Sequence, residues 1–113
     1  MKSILILAAF PSLLSLQCSK QQKEIPGCIQ QRIDQIKASP KGTDASEINE
    51  YRYKGKLVYL FTAQCCDFYN PLYDNNCNYI CAPTGGIAGS GDGKCFDFNA
   101  NSKLIRLVWK DPR

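Results

Sequence analysis

The sequence predicts an α+β fold: one N-terminal amphipathic helix on a small, mostly antiparallel sheet, loop-rich and stapled by disulfides. Three observations support this prediction. Ile29, Ile33 and Ile36 recur with helical spacing, and later stretches rich in Tyr, Val, Leu and Phe are separated by turn residues. The 113-residue chain, of single-domain length, has seven cysteines and no histidine. The lack of histidine removes the commonest general base, and with it the Ser-His-Asp and Cys-His triads.

Residues 1–17 have the layout of an export signal, because Lys2 precedes an apolar run that is too short to span a membrane. Cys18 follows this run directly, as in a lipoprotein signal whose cysteine is acylated, although Ser15 and Gln17 replace the usual Leu and small residue. We therefore expect a lipoprotein-type signal peptide (1–17), a lipidated N-terminus and tether (18–27) and one disulfide-rich domain (28–113). Without acylation, the protein would be secreted with Cys18 as an odd thiol.

The elements of the domain follow in chain order. The helix covers about three turns after Pro26-Gly27 and ends before Pro40. Two strands, 48–53 and 57–63, form a hairpin through Lys54-Gly55, since glycine suits the positive φ of a tight turn. Both faces of the second strand are apolar, which favours a central position. Residues 64–101 are predicted to be loop-rich with one short strand over 78–82, and the last strand covers 103–110.

Removing Cys18 from the count leaves six cysteines, an even number that favours a disulfide framework in an oxidising compartment. They are Cys28, Cys65, Cys66, Cys77, Cys81 and Cys95. Their pairing stays open, but adjacent Cys65 and Cys66 are expected to reach two different partners, because most disulfides need a wider Cα separation than neighbours have. A zinc site is the disfavoured alternative, since the chain lacks Cys-x-x-Cys pairs and histidine.

A longer string of residues carries a family resemblance. It consists of Cys65-Cys66-Asp67, Leu72-Tyr73-Asp74, Cys81-Ala82-Pro83-x-Gly85-Gly86, Gly91-Asp92-Gly93-Lys94-Cys95 and the closing Trp109-Lys110-Asp111-Pro112. With these residues the chain resembles a family of small exported Bacteroidetes proteins, many of them lipoproteins, that is classed as a domain of unknown function. The resemblance covers residues 28–113. It implies a location and a shared fold, but no activity, substrate or catalytic residue.

The sequence contains no specific motif for binding phosphate, calcium or nucleic acid. Gly93-Lys94 is followed by Cys95, so the glycine-rich segment does not fit a phosphate-binding loop. Asp74, Asn76 and Asn78 have the spacing of a calcium loop but lack its glycine and its bidentate glutamate. The formal charge of +4 is spread along the chain without basic runs interleaved with aromatic residues. We expect no cofactor, no metal and no nucleic-acid partner.

The preferred hypothesis is a non-catalytic binding or interaction module of a Gram-negative cell envelope, held on the periplasmic face or cell surface by its lipid. Its partners would be the membrane, through the anchor, and an envelope protein or glycan. The predicted interaction loop lies within residues 67–97 and contains Tyr69, Tyr73, Gly85, Gly86, Gly91, Asp92 and Gly93. The alternatives are an exported protease inhibitor that presents residues 83–94, and a small envelope enzyme that uses Asp67, Asp92 and Asp97.

Overall fold

The computed structural model describes residues 24–65 and 67–113. The expected signal segment, Cys18 and Cys66 lie outside these residues. The elements in chain order are α1 (Gly27–Ala38), β1 (Ala45–Tyr53), β2 (Lys56–Ala63), β3 (Tyr69–Asp74), β4 (Tyr79–Gly85), α2 (Phe98–Asn101) and β5 (Ser102–Lys110). The strands form one sheet in the order β4-β3-β2-β1-β5, with antiparallel neighbours throughout. The predicted combination of helix and antiparallel sheet is confirmed.

Helix α1 packs against one face of the sheet. Ile29, Ile33 and Ile36 are buried, as predicted, and form a cluster with side chains of β1 and β2 that include Ile48 and Phe61. Burial of this aliphatic surface is the main stabilising contribution of the helix. At its C-terminal end, Arg113 donates hydrogen bonds to the carbonyl oxygens of Ile36 (3.2 Å) and Ser39 (2.8 Å). The Ile36 oxygen also accepts the Ser39 N–H (3.1 Å), and the positive charge of Arg113 suits the C-terminal end of the helix dipole.

The β1–β2 hairpin forms at the predicted turn. Lys54 and Gly55 both have positive φ (51° and 76°), as a tight two-residue hairpin turn requires. Strand β2 is the middle strand of the sheet, which confirms the position inferred from its two apolar faces.

A buried carboxylate links three neighbouring strands under α1. Glu50 of β1 is fully buried and accepts a hydrogen bond from the Tyr59 hydroxyl of β2 (2.8 Å). The Arg106 guanidinium of β5 lies 3.5 Å from the same carboxylate oxygen. Burial and the neighbouring carboxylate raise the pKa of Tyr59 above its usual range, so this phenol stays protonated as a donor.

The opposite face of the sheet carries a second cluster, built from Val58, Leu60 and Leu72 with Phe98 of α2. Tyr51 and Tyr53 meet the Phe98 ring edge-on, with centroids 5.0 and 5.3 Å apart. The sequence pattern did not predict α2, because its four residues are held by this aromatic contact and not by helical periodicity.

Strand β3 corrects the prediction that residues 64–77 are loop. The strand contains Pro71, and proline cannot donate a hydrogen bond to a sheet ladder. The structure tolerates it because pairing with β2 begins only at Leu72 and the β3–β4 register shifts between Asn70 and Leu72. Strand β4 also continues past the predicted end, from Tyr79 to Gly85.

Among residues 24–65 and 67–113 the structure shows two disulfides, Cys28–Cys77 and Cys81–Cys95, with Cα separations of 6.0 and 6.1 Å. The first joins the start of α1 to the β3–β4 turn, and the second joins β4 to the segment before α2. The expectation that Cys65 forms a disulfide with one of these four cysteines is wrong, because the four are already joined in two pairs. The bridges fit a protein exported to an oxidising compartment. None of the helices in the described ranges combines the length and apolarity needed to cross a bilayer.

Candidate interaction face

Three exposed apolar side chains form a ridge at the end of the sheet where β3 begins and β4 ends. Phe68 is 66% exposed, Tyr69 57% and Ile87 95%. Phe68 directly precedes β3 and Tyr69 begins it, and Ile87 lies at the tip of the glycine-rich loop that follows β4. We call these three residues the apolar ridge. Large apolar side chains this exposed are typical of interaction surfaces when they occur together.

Backbone contacts fix the two halves of the ridge together. Tyr69 pairs with Gly85 across β3 and β4, and the Gly86 N–H donates to the Phe68 carbonyl oxygen (3.1 Å). Gly85 has φ +86°, and a Cβ there would collide with that carbonyl oxygen. Only glycine permits this close approach, so the loop backbone at Gly85 and Gly86 lies against Phe68 and Tyr69, and Ile87 directly follows this contact in the chain.

The glycine-rich loop is held in one conformation by its own hydrogen bonds. The Gly91 N–H donates to Gly85 (3.0 Å) and the Asp92 N–H to Ala82 (2.9 Å). Gly91, with φ +73°, lies against the Ala82 carbonyl group, where no Cβ fits. The Cys81–Cys95 bridge closes the loop at its base. The ridge therefore lies on a preorganised support, which reduces the entropy lost when a partner binds.

The Asp92 carboxylate attaches the loop to β4. It accepts hydrogen bonds from the Tyr79 hydroxyl (2.6 Å), the Ala82 N–H (3.0 Å) and the Lys94 N–H (3.0 Å). The Tyr79 bond, together with the backbone donors, lowers the pKa of Asp92 below its ordinary value, and the same bond raises the pKa of Tyr79 to about 12. Asp92 therefore supports the loop structurally, since its oxygens are engaged within the domain.

Asn70 joins β2, β3 and β4 beside the ridge. Its side-chain oxygen accepts from the Ala63 N–H (2.9 Å), and its amide nitrogen donates to the Thr84 hydroxyl (3.0 Å). The side chain thus replaces ladder bonds near Pro71 and fixes the start of β3. The sequence pattern gave no signal for this role, which depends on three strands meeting.

A pocket of about 260 Å³ adjoins the ridge and shares Phe68 and Tyr69 with it. Arg32 of α1 reaches into its lining, with Cζ 5.2 Å from the ring centroids of both Phe61 and Tyr73. The two rings meet edge-to-face at 5.1 Å. The lining also includes Asp44, so the pocket combines aromatic surface with one side chain of each charge. Cation–π attraction holds the Arg32 guanidinium over the two rings.

The structure brings some of the predicted site residues together and separates others. Tyr69, Gly85 and Gly86 lie at the ridge, and Gly91 supports the loop behind it, as Asp92 does. Tyr73 is half-buried and lines the pocket, which corrects its assignment to an exposed loop. Gly93 follows the loop in open space. The sequence reasoning missed Phe68, Ile87 and Arg32; a lone isoleucine among glycines was the one available signal.

The carboxylates named for catalysis or calcium binding have different partners. Asp97 accepts from the Tyr53 hydroxyl (2.6 Å) near the β1–β2 turn, away from Asp92, and Asp67 is exposed beyond β2. Asp74 accepts from the backbone N–H groups of Asn76 (2.8 Å) and Asn78 (2.9 Å), which lowers its pKa and makes this segment a polar turn. Among residues 24–65 and 67–113, no three Cys, Asp or Glu side chains come together as a metal-ligating group.

Comparison with protein families assigns the chain. No curated protein and no solved structure matches the chain. Residues 34–111, which run from the middle of α1 to just past β5 and make up more than half of the chain, match the family described as domain of unknown function DUF6970. The expected assignment to a domain-of-unknown-function family is confirmed, and the chain belongs to the DUF6970 family.

Proposed function

We propose that this protein is a non-catalytic interaction module of the cell envelope, anchored through acylated Cys18, and that its apolar ridge binds an envelope protein. The observation that carries the proposal is the exposure of Phe68, Tyr69 and Ile87 on a hydrogen-bonded, disulfide-closed support. The exposure of these three apolar side chains to water does not stabilise the folded domain. Their preorganisation reduces the entropic cost of binding.

The chemistry of the ridge favours a protein partner over a glycan. A 95% exposed isoleucine offers branched aliphatic surface, which matches the apolar core of a protein interface better than the hydroxyls of a sugar. The adjoining pocket has room for one side chain, and its lining of Phe61, Tyr69 and Tyr73 favours an apolar or aromatic one. Aromatic and arginine side chains are also the residues that carry most energy at interfaces.

The envelope location is supported by the layout of residues 1–17, the position of Cys18 directly after them, and the two disulfides.

The binding proposal is tested by photo-crosslinking in the producing cells. The photoreactive residue p-benzoylphenylalanine replaces Ile87 in one chain and Phe96 in the control. Phe96 is also apolar and 91% exposed, but it lies beside Asp97, which bonds Tyr53 near the opposite end of the sheet. We expect a protein adduct from position 87 alone, identified by mass spectrometry. Adding Phe68→Asp should reduce the yield by roughly tenfold or more, since loss of an interface hot spot costs about 2 kcal/mol or more.

Each outcome has a defined meaning. An adduct that carries sugar without peptide would replace the protein partner with a glycan. Equal yields from positions 87 and 96, or no adduct from position 87, would refute the assignment of the ridge.

A second candidate is protease inhibition, favoured by the exposure of Ile87 on a loop closed by Cys81–Cys95. It ranks lower because the loop curls through positive-φ glycines, whereas peptides recognised in a binding cleft commonly lie extended. Incubation of the protein with a panel of proteases decides this point. Inhibition that Ile87→Asp removes would support the second candidate, and no inhibition would exclude it.

A further inference from the structure

Four exposed cations cluster at the end of the sheet opposite the apolar ridge. They are Arg52, Lys54, Lys56 and Lys103. Arg52 pairs with Lys103 across β1 and β5, and Lys54 and Lys56 belong to the β1–β2 turn and the start of β2. Arg52, Lys54 and Lys103 line one shallow cleft. We call these four residues the basic end.

Two carboxylates near the basic end offset only part of this charge. Asp97 lies 3.7 Å from the Lys54 ammonium group and also accepts the Tyr53 hydroxyl. Asp74 lies near Lys56 but accepts two backbone N–H groups of its own turn. Four positive and two negative charges leave an excess of two positive charges, which faces solvent.

The chain enters the domain at this same end. Helix α1 begins at Gly27, and Cys28 is bonded to Cys77 in the β3–β4 turn. That turn follows Asp74, which pairs with Val58 near the start of β2. The start of α1 and the basic end are therefore neighbours.

The distance from the expected anchor to the domain is short. Nine residue steps separate Cys18 from Gly27, and nine extended residues reach at most about 30 Å. The sequence of this segment contains Lys20 and Lys23 against one acidic residue, Glu24. An anchor at Cys18 thus holds a basic surface within a short distance of the bilayer.

We propose that the basic end lies against anionic phospholipid headgroups of the membrane to which the N-terminus is anchored. The proposal rests on the anchor in the proposed function and adds an orientation, because the basic end then faces the lipid and the apolar ridge faces away from it. A lipid on the N-terminal cysteine fixes that end of the chain at the bilayer but leaves the orientation of the domain open, and a basic surface that meets anionic headgroups sets this orientation. Each lysine or arginine near an anionic surface strengthens the association by about fivefold.

Lysine footprinting on the acylated, exported protein tests the proposal. The protein is reconstituted in vesicles of 30% phosphatidylglycerol in phosphatidylcholine, or of phosphatidylcholine alone, and amine acetylation is read by mass spectrometry. We expect the anionic vesicles to slow labelling of Lys54, Lys56 and Lys103 by about fivefold, whereas Lys41 and Lys110 at the other end of the sheet change less than twofold. The difference should vanish in 0.5 M salt, where the screening length falls to about 4 Å.

A charge-reversed pair gives the matched control. Lys54→Glu with Lys56→Glu should abolish the protection of Lys103, and Lys41→Glu with Lys110→Glu should leave that protection unchanged. All four side chains are exposed, so neither pair disturbs the core. Equal labelling in both vesicles, or protection at Lys41 and Lys110, would overturn the proposal.

The intact mass of the exported protein keeps the two proposals apart. An unmodified Cys18 would overturn the anchor and this orientation together, whereas crosslinking from Ile87 reports the binding function independently.

Discussion

Replacement of Gly91 by alanine isolates the close approach that supports the glycine-rich loop. Gly91 has φ +73°, and a Cβ at this position would meet the Ala82 carbonyl oxygen, with Pro83 C 2.7 Å away. Gly89 has nearly the same φ (+75°), but no atom lies within 4 Å of its Cβ position. The two substitutions therefore share the backbone strain and differ in the collision alone.

The expected losses of unfolding free energy follow from this comparison. Alanine at positive φ costs about 1 kcal/mol at either position. At position 91, overpacking against backbone adds about 1–3 kcal/mol, and displacement of Ala82 breaks the bond from the Asp92 N–H (2.9 Å), worth about 1 kcal/mol. We expect Gly91→Ala to lose about 3–5 kcal/mol in total, against about 1 kcal/mol for Gly89→Ala.

Guanidinium denaturation of the oxidised proteins measures both losses. In thermal denaturation, the difference in unfolding free energy between the two variants corresponds to a difference in Tm on the order of 10–20 °C for a domain of this size. Crosslinking from the ridge should fall in Gly91→Ala and persist in Gly89→Ala. Equal losses in the two variants would refute the reasoning, because strain at positive φ would then account for both.

Three further predictions test the buried Glu50 hydrogen bond, the Cys28–Cys77 disulfide and the loss of stability in acid. Tyr59→Phe removes the donor to the buried Glu50 carboxylate and should lower the free energy of unfolding by about 1.5–3 kcal/mol in urea titration; a loss under about 0.5 kcal/mol would contradict the importance of this bond. Replacing Cys28 and Cys77 by alanine opens a loop with a sequence separation of 49 and should cost about 4 kcal/mol, while crosslinking from the ridge stays unchanged at temperatures where the variant is folded. The folded pKa of Asp92 lies below its ordinary 3.8, so its contribution is complete above that value and is lost as the pH falls through the folded pKa. Asp92→Asn should therefore flatten the decline of stability between pH 5 and 2, and an unchanged slope would show that other groups carry the acid response.

Local patterns were enough to predict the elements whose signals lie within a few residues. The isoleucine spacing predicted α1, and Lys54-Gly55 between two apolar runs predicted the hairpin. Strand β3 was missed because proline weighs against a strand locally, whereas Pro71 is accommodated by a register shift that only pairing with β4 creates. The same reason explains α2, which depends on Phe98 meeting tyrosines of a distant strand.

For the candidate site, the sequence indicated the glycine-rich loop but not the side chains that line the neighbouring pocket. Clustered glycines indicated a tight loop, and the structure places Gly85 and Gly86 beside Tyr69. Arg32 stands among the polar residues between Ile29 and Ile33, and this pattern carries no signal of contact with the sheet. Its stacking over Phe61 and Tyr73 depends on how α1 crosses the sheet, which no local pattern encodes.

The position of β5 at the edge of the sheet has a consequence for vectorial folding. Both disulfides lie within residues 28–95, so they can form before β5 emerges during synthesis or translocation. Before β5 emerges, strand β1 pairs with β2 on one side and has an open edge on the other. At this stage Glu50 lacks its ion-pair partner Arg106, which belongs to β5. The covalent cross-links are thus compatible with a nascent chain that stays incompletely closed, and arrival of the final strand completes the sheet and buries the charge pair.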